Sequence, residues 1–552
     1  MKSSSFVGQV VVALVLSFPG TIVSAQEPLF EGLGAYSRPV TTASPEAARY
    51  FNQGLAFLHG FNHGAAIRAF QEAARLDPTC AMAHWGIALA SGPHINSFYM
   101  PPPAVKRAWK ELKLAQQHAS KTSPVERALI DALSHRYADP QPKDRSPLDR
   151  AYADAMREVW KAHPTDPDAG AFFAEAMMDL RPWDQWTPEG EPQPGTDEIL
   201  ATLDAVLELN PRHPFANHLY IHAVEASRNP ERADAAADRL RNLQPGLAHN
   251  VHMPSHIDIR RGRWQQAIDT NAKAVEADKR YRKIAGPPTG MLPVYAAHNH
   301  HMLAYGALMT GQREVAMKHV RAMVAELPAA WVKKKENGGF ADSFIAVPLE
   351  VLIRFGRWDE ILAEPANYPK GMSFTRALRH MARATALAAK GDAPRARKEQ
   401  VLFLKAAKLV PGYTPLGNNV APSVLSVATH MLEGEILVAE RQVDAGVAEL
   451  QAAVKEEDGL KYDEPPAWMI PVRHSLGAVL MNAGRFAEAE QVYRDDLARL
   501  PDNGWSLFGL AESLRKQKKN EAEAAALQGK FQEVWAKADV KITTSCLCQA
   551  GK

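Results

Sequence analysis

Small and apolar residues recur along most of this chain at the spacing of paired amphipathic helices. In Tyr50–Pro78, YFNQGLAFLHGFNHGAAIRAFQEAARLDP, the small residues Gly54, Ala66 and Ala73 are set among Phe57 and Phe70, and Pro78 closes the segment. The pattern predicts two antiparallel helices that touch through the small residues, with the proline ending the second. The same template fits His474–Pro501 through Gly477, Leu480, Ala489, Tyr493 and Pro501. Weaker copies occupy Gly262–Asp278, Gly311–Pro328, Gly356–Leu362 and Gly391–Gln400, each a short turn followed by the second helix of a pair.

The spacing is that of a tetratricopeptide repeat (TPR), whose period is about 34 residues, and roughly nine to ten such pairs cover most of the chain. An all-α, right-handed TPR-type α-solenoid follows, its concave groove lined mainly by the first helix of each pair. Three stretches break the period: the proline-rich Ser91–Pro103, the aromatic Arg181–Thr196 and the irregular Arg282–Pro293. Loops of this length are functional sites or covers over a solenoid edge. The organisation expected is a leader at 1–25, a lead-in at 26–43, and TPR-like repeats with insertions at 44–211. His-rich central repeats at 212–330, C-terminal repeats at 331–540 and a tail at 541–552 complete it.

Nine of the 20 histidines lie between His213 and His301, and the repeat register explains their grouping. With Pro214, Ala248 and Ala297 as position 1 of three successive repeats, His218, His252 and His301 all fall at position 5. His222 and His256 fall at position 9, where the third repeat has Tyr305; His249 and His298 fall at position 2. These positions form one stripe of a helix. Neighbouring helices pack about 8–10 Å apart, so imidazoles from adjacent first helices can converge on an ion. Packing has no reason to choose imidazole repeatedly, since each buried one needs polar partners. The metal ligands expected are therefore His218, His222, His249, His252, His256, His298 and His301. Glu225, one turn beyond His222, Glu350 at position 9 of the following repeat, and Glu175 in an earlier one are candidate ligands, orienters or bases, with Tyr305 beside them. Pro254 disfavours helix at Met253, so His252 is expected on a lead-in turn rather than in a simple i,i+4 pair with His256. His59, His63, His84 and His94 lie outside the register and read as structural.

Imidazole and carboxylate without nearby thiol suit copper, zinc, iron or nickel rather than calcium or magnesium. Seven histidines exceed the ligands of one zinc ion, which favours two metals, or one metal and a proton-shuttling histidine. Copper is the first choice for an oxidising location, with iron and zinc next. A dicopper oxygen-binding centre from His218, His222, His252, His256, His298 and His301 competes with a binuclear hydrolytic site using Glu225 or Glu350 as base.

The 552 residues are 46% apolar and 23% charged with a net charge of +2, a globular composition without the basic surplus of a nucleic-acid partner. Lys2, the apolar Val10–Phe18 and Val23-Ser24-Ala25 form a cleavable export leader, so the mature chain is expected to begin at Gln26, periplasmic or secreted, with no membrane span. Cys80 sits in a helical core pattern; Cys546 and Cys548 form a CxC that could bind a soft metal, bond internally or between chains, or fray without a role.

The segments GFNHGAAIRAFQEAARLDPTCAMAHWGIALASGP, LYIHAVEAS, HMPSHIDIRRGRW and HNHHML together resemble a group of exported bacterial TPR proteins, over nearly all of the mature chain. The resemblance implies a repeat solenoid and shared roles for His222, Glu225, His252 and His256, but no activity. The loop that such proteins write as GPNIN reads GPHIN here, at His94. Two functions fit: a metalloenzyme, oxidoreductase ahead of hydrolase, acting on a small molecule or peptide; or a scaffold whose groove binds a peptide or protein partner, with metal structural or absent.

Overall fold

A computed structural model describes residues 27–549. The leader and its cleavage point, and the last three residues of the tail, lie outside the described residues. The fold is all-α, TPR-like: helices pair antiparallel, Pro45–His59 with His63–Leu76, Leu292–Met309 with Arg313–Glu326, Ser373–Ala389 with Ala393–Ala407, Val472–Asn482 with Phe486–Arg499. The one sheet among the described residues is a two-stranded hairpin, Pro415–Leu416 against Asn419–Val420. No described helix is long and apolar enough to cross a membrane.

The small residues of the repeat template do what their spacing predicts. A Cβ on Gly54 would lie 2.6 Å from the Phe70 ring, and one on Gly86 2.7 Å from the same ring. Tyr493 is clasped in the same way by Gly477 and Gly509, at 2.4 and 2.3 Å. Each second-helix aromatic is thus held between the first helices of its own and the next pair, which propagates the core along the chain. Caps fix the starts: Ser44, Asn62, Asp166 and Asn503 accept the backbone N–H of Ala47, Ala65, Ala169 and Ser506.

The array also folds back on itself. Trp264 Nε1 donates to Pro501 O (2.9 Å), Trp505 Nε1 donates to Leu308 O (2.8 Å), and the Arg354 guanidinium lies 3.4 Å over the Trp505 ring. C-terminal repeats therefore seat against the His-rich central ones. Two of the insertions pack together on the central repeats: Trp186 Nε1 donates to Ala223 O at the end of Pro214–Val224, and Trp183 Nε1 donates to Asn96 Oδ1 in the proline-rich loop. The tail is not frayed where described: Cys546 and Cys548 are buried and disulfide-bonded to each other. Cys80 is free and buried at the start of Ala81–Ala90.

One local expectation is met in part. The helix breaks at Met253, between Ala248–His252 and Pro254–Arg260, with Pro254 at the first position of the second segment. His252 closes the first segment rather than lying on a lead-in turn, and because Met253 keeps right-handed backbone angles (φ −48°, ψ −41°) its ring still reaches His256 across the break.

Candidate metal centre

The first helices of three successive repeats carry the histidine stripe: Pro214–Val224, the broken pair Ala248–His252 and Pro254–Arg260, and Leu292–Met309. Their side chains form two triads, His218/His222/His249 and His252/His256/His298, each with one nitrogen per ring all within 4.8 Å of one another. The triads abut: ring centroids of His222 and His256 are 5.6 Å apart, those of His249 and His252 5.8 Å. The first five of these residues along the chain are at most 7% exposed.

The tautomers are set from outside. His218 Nδ1 lies 2.8 Å from His59 O, His252 Nδ1 2.6 Å from Asn271 Oδ1, His222 Nδ1 2.7 Å from Glu225 Oε1 and His256 Nδ1 2.5 Å from Glu225 Oε2. Asn271 donates its own Nδ2 to Ala267 O, so its oxygen is what meets His252. Every one of these partners is an acceptor, so each Nδ1 carries a proton, which leaves Nε2 as the lone-pair nitrogen wherever the ring is neutral. Those lone pairs point inward. His218 Nε2 and His222 Nε2 are buried without a hydrogen-bond partner, as are both ring nitrogens of His249. His252 Nε2 and His256 Nε2 face each other at 2.8 Å, an arrangement that demands a cation between two lone pairs. Metal-ligating histidines show this same outer anchoring.

A proton can supply that cation. Burial opposes charge on His256, but the carboxylates of Glu225 and Glu464 outweigh it and raise its pKa to about 10. Burial, joined by repulsion from neighbouring imidazoles, holds His218, His249, His252 and His298 well below their usual range and so neutral, the form that ligates. Burial would raise Glu225, yet His256 and His222 bring it down to about 2. Glu225 therefore stands as a carboxylate that bridges the two triads, one oxygen on an Nδ1 of each, and with Glu464 and His256 it makes a further group of donor atoms within 4.8 Å of one another.

Residues outside the repeat register complete the site. Glu464 Oε2 is 3.2 Å from His256 Nδ1, and the Tyr462 hydroxyl donates to Glu464 and lies 3.4 Å from Glu225 Oε2. Phe61 packs on His218 (4.4 Å between centroids), Tyr295 on His249 (4.5 Å), and Trp183 edge-on to His222 (5.0 Å). Asn96 accepts from Trp183 and donates to the Tyr295 hydroxyl (3.3 Å), tying the covering loops together over the first triad.

The remaining expected residues are engaged elsewhere. His301 Nε2 contacts Met469 Sδ (2.8 Å), and Glu350 accepts the Met469 N–H (3.1 Å) with burial lifting its pKa to about 8. Tyr305 is packed against Trp264 in the core. Glu175 is buried beside Arg136, its pKa raised to about 7 by burial against the opposing pull of that guanidinium. The structure thus brings six of the seven expected histidines and Glu225 together, and places His301, Glu350, Tyr305 and Glu175 apart from the triads. His94 and His63 stack face to face at 4.0 Å beside Phe61, and His84 pairs with Glu111.

No protein-family model matches the chain, and no curated protein matches its sequence. Solved structures share its helical-repeat form at low identity. The human IFIT1 dimer with m7Gppp-AAAA matches at 13% identity over 90% of this chain and 92% of that one, TM-score 0.32. Aspartyl phosphate phosphatase F from Bacillus subtilis matches at 11% over 92% and 99%, TM-score 0.31. The Cut9–Hcn1 hetero-tetramer matches at 10% over 90% and 76%, TM-score 0.28. These are likenesses of fold alone.

Proposed function

We propose that this is an exported metalloprotein in which the two triads hold a pair of copper ions, one to each triad, and that the pair acts in redox chemistry on a small molecule. The observation that carries the reading is the convergence of outward-anchored imidazoles, with the His252–His256 nitrogen contact at its centre. The donor set argues for the metal. Imidazole suits copper, whereas paired iron sites in helical scaffolds use carboxylates that project inward. Here each triad offers imidazole alone, and Glu225 meets its rings at Nδ1. Two adjacent copper ions supply two electrons together, which suits reduction of dioxygen or a comparably small oxidant. The protein's own part is to fix tautomers through Glu225, Asn271 and the His59 carbonyl, and to exclude bulk water with Phe61, Tyr295 and Trp183. The aromatic cover and the burial of the rings favour a small substrate over a peptide in the groove.

Elemental analysis tests this on protein expressed with its leader and purified without chelators. About two copper ions per chain are expected, with loss of both in the His222→Ala/His256→Ala double variant. Less than about a tenth of an equivalent of any transition metal, after reconstitution as well, sinks the proposal.

A further inference from the structure

A second, chemically different metal site lies where the C-terminal tail docks. Cys546 Sγ, Cys548 Sγ and a Glu435 carboxylate oxygen lie within 4.8 Å of one another, all buried. Glu435 comes from helix Ala421–Ala439 and is held by Ser475 Oγ, which donates to its Oε1 (3.1 Å). Ser475 Oγ is also 3.4 Å from Cys548 Sγ, and the Cys548 N–H points at Cys546 Sγ (3.3 Å). The two sulfurs are joined in the structure. That bond closes a loop across a single intervening residue, so it removes little entropy from the unfolded chain and is a poor staple. Its surroundings suit a dithiolate instead: a backbone N–H beside the sulfurs, a carboxylate as third donor, and the Ser475 hydroxyl holding that carboxylate in place.

We propose that the reduced tail binds one thiophilic ion of the Cu(I)/Zn(II) class through Cys546, Cys548 and Glu435, and that the disulfide is the closed state of that site. Opening it takes a two-electron reductant. A dithiol transfers two electrons and two protons to the Cys546–Cys548 bond and closes to its own disulfide; a phosphine with water does the same and leaves as its oxide. The two thiols release their protons to solvent as the ion binds. The tail 541–549 has no regular element beyond a turn at Leu547–Gln549, and Ser545 anchors it through Tyr493, His474 O and Arg354.

The proposal does not depend on the histidine site, and the test separates them. Full-length protein is titrated with Co(II) before and after phosphine reduction, because thiolate-to-cobalt charge transfer reports sulfur ligands and imidazole gives none. The reduced protein should gain a near-ultraviolet thiolate band that saturates at one ion, is displaced by Zn(II), and is absent from the oxidised protein and from Cys546→Ser/Cys548→Ser. Competition with a Cu(I) chelator should show one extra Cu(I) on reduction. Glu435→Gln should keep the band but weaken binding by about tenfold or more. No thiolate band in reduced wild-type protein overturns the proposal, as does a band that persists in the double serine variant and so belongs to Cys80. Undiminished affinity in Glu435→Gln removes the carboxylate from the donor set.

Discussion

The protein buries imidazole in two ways. At His213, Nε2 donates to Asp168 (3.1 Å) and Nδ1 accepts the Ala216 N–H (3.1 Å), so both nitrogens are used and Asp168 also takes Arg38 (2.9 Å). At His474, Nε2 meets Asp496 (2.9 Å), which also accepts from Asn503 and Ser506, and only Nδ1 goes without a partner. In the triads the Nδ1 atoms of His218, His222, His252 and His256 are anchored from outside, while His218 Nε2, His222 Nε2 and both ring nitrogens of His249 have no partner and His252 Nε2 meets only His256 Nε2. Burial or a single orphaned nitrogen therefore does not mark a metal site. Several imidazoles converging with their nitrogens unpaired make a group that could hold an ion.

The largest effects should separate the two arrangements outright. His222→Ala/His256→Ala should abolish metal binding while the circular dichroism of the helices is kept. Asp168→Ala should do the reverse: it takes one of Arg38's two carboxylates, Asp166 remaining at 2.7 Å, leaves His213 Nε2 without its acceptor and costs about 1–3 kcal/mol, read as a drop in denaturant midpoint, with metal per folded molecule unchanged. If Asp168→Ala empties the triads at constant fold, the distinction between the regions collapses. Metal removal should resemble neither: at free metal about 1,000 times the Kd, binding adds about 4 kcal/mol, so chelation should lower Tm in wild type and leave the double histidine variant unmoved.

Glu225→Gln probes the anchoring more finely. An amide keeps one acceptor and turns a donor toward the other Nδ1, so one of His222 and His256 loses the outer bond that frees its Nε2. Metal affinity should fall by about 10–100-fold, the usual scale for removing an outer partner of a metal-ligating histidine. Wild-type affinity in this variant would deny Glu225 its positioning role. The structural region answers to pH instead. Burial would raise the Asp168 carboxyl, but His213, Arg38 and His59 hold it below the ordinary range. A depressed folded-state pKa gives stability that is complete above the unfolded value and lost as pH falls toward the folded one. Below about pH 4, wild type should therefore lose stability more steeply than Asp168→Asn, followed by denaturant melts across acid pH.

The repeat and most of the site were legible because both are periodic. Gly54 and Phe70 announce helix contacts, and His218, His222, His249, His252, His256 and His298 follow the same register one repeat to the next. The register misleads where neighbouring structure decides. His301 shares position 5 with His218 and His252, yet the fold-back of the C-terminal repeats sets Met469 against it. Tyr305 shares position 9 with His222 and His256 but lies in the core. Pro254 announces the break at Met253, but not that His252 would still reach His256 across it. Glu464 and Tyr462 reach the site from over two hundred residues away, through a break in the repeats at Tyr462–Pro466 that carries no histidine signal. Asn271 is one polar residue on an ordinary second helix, and only its distance to His252 reveals its role.

The smallest expected effect concerns the cover. Trp183 stands edge-on to His222, and its N–H reaches Asn96, which holds the Tyr295 ring over His249. Trp183→Ala removes the first link of that chain without touching a ligand nitrogen. Copper stoichiometry should be unchanged, and copper release to an external chelator should quicken by about several-fold, since the cover limits access rather than affinity. Trp186→Phe is the matched control in the same insertion: it gives up one hydrogen bond to Ala223 O, worth about 1 kcal/mol, and should leave the release rate alone. Equal release rates in the two variants would make the insertion a brace for the helix Pro214–Val224 and nothing more. A faster rate in Trp183→Ala alone would show that the triad region, unlike the buried ion pairs around Asp168, is built to be opened.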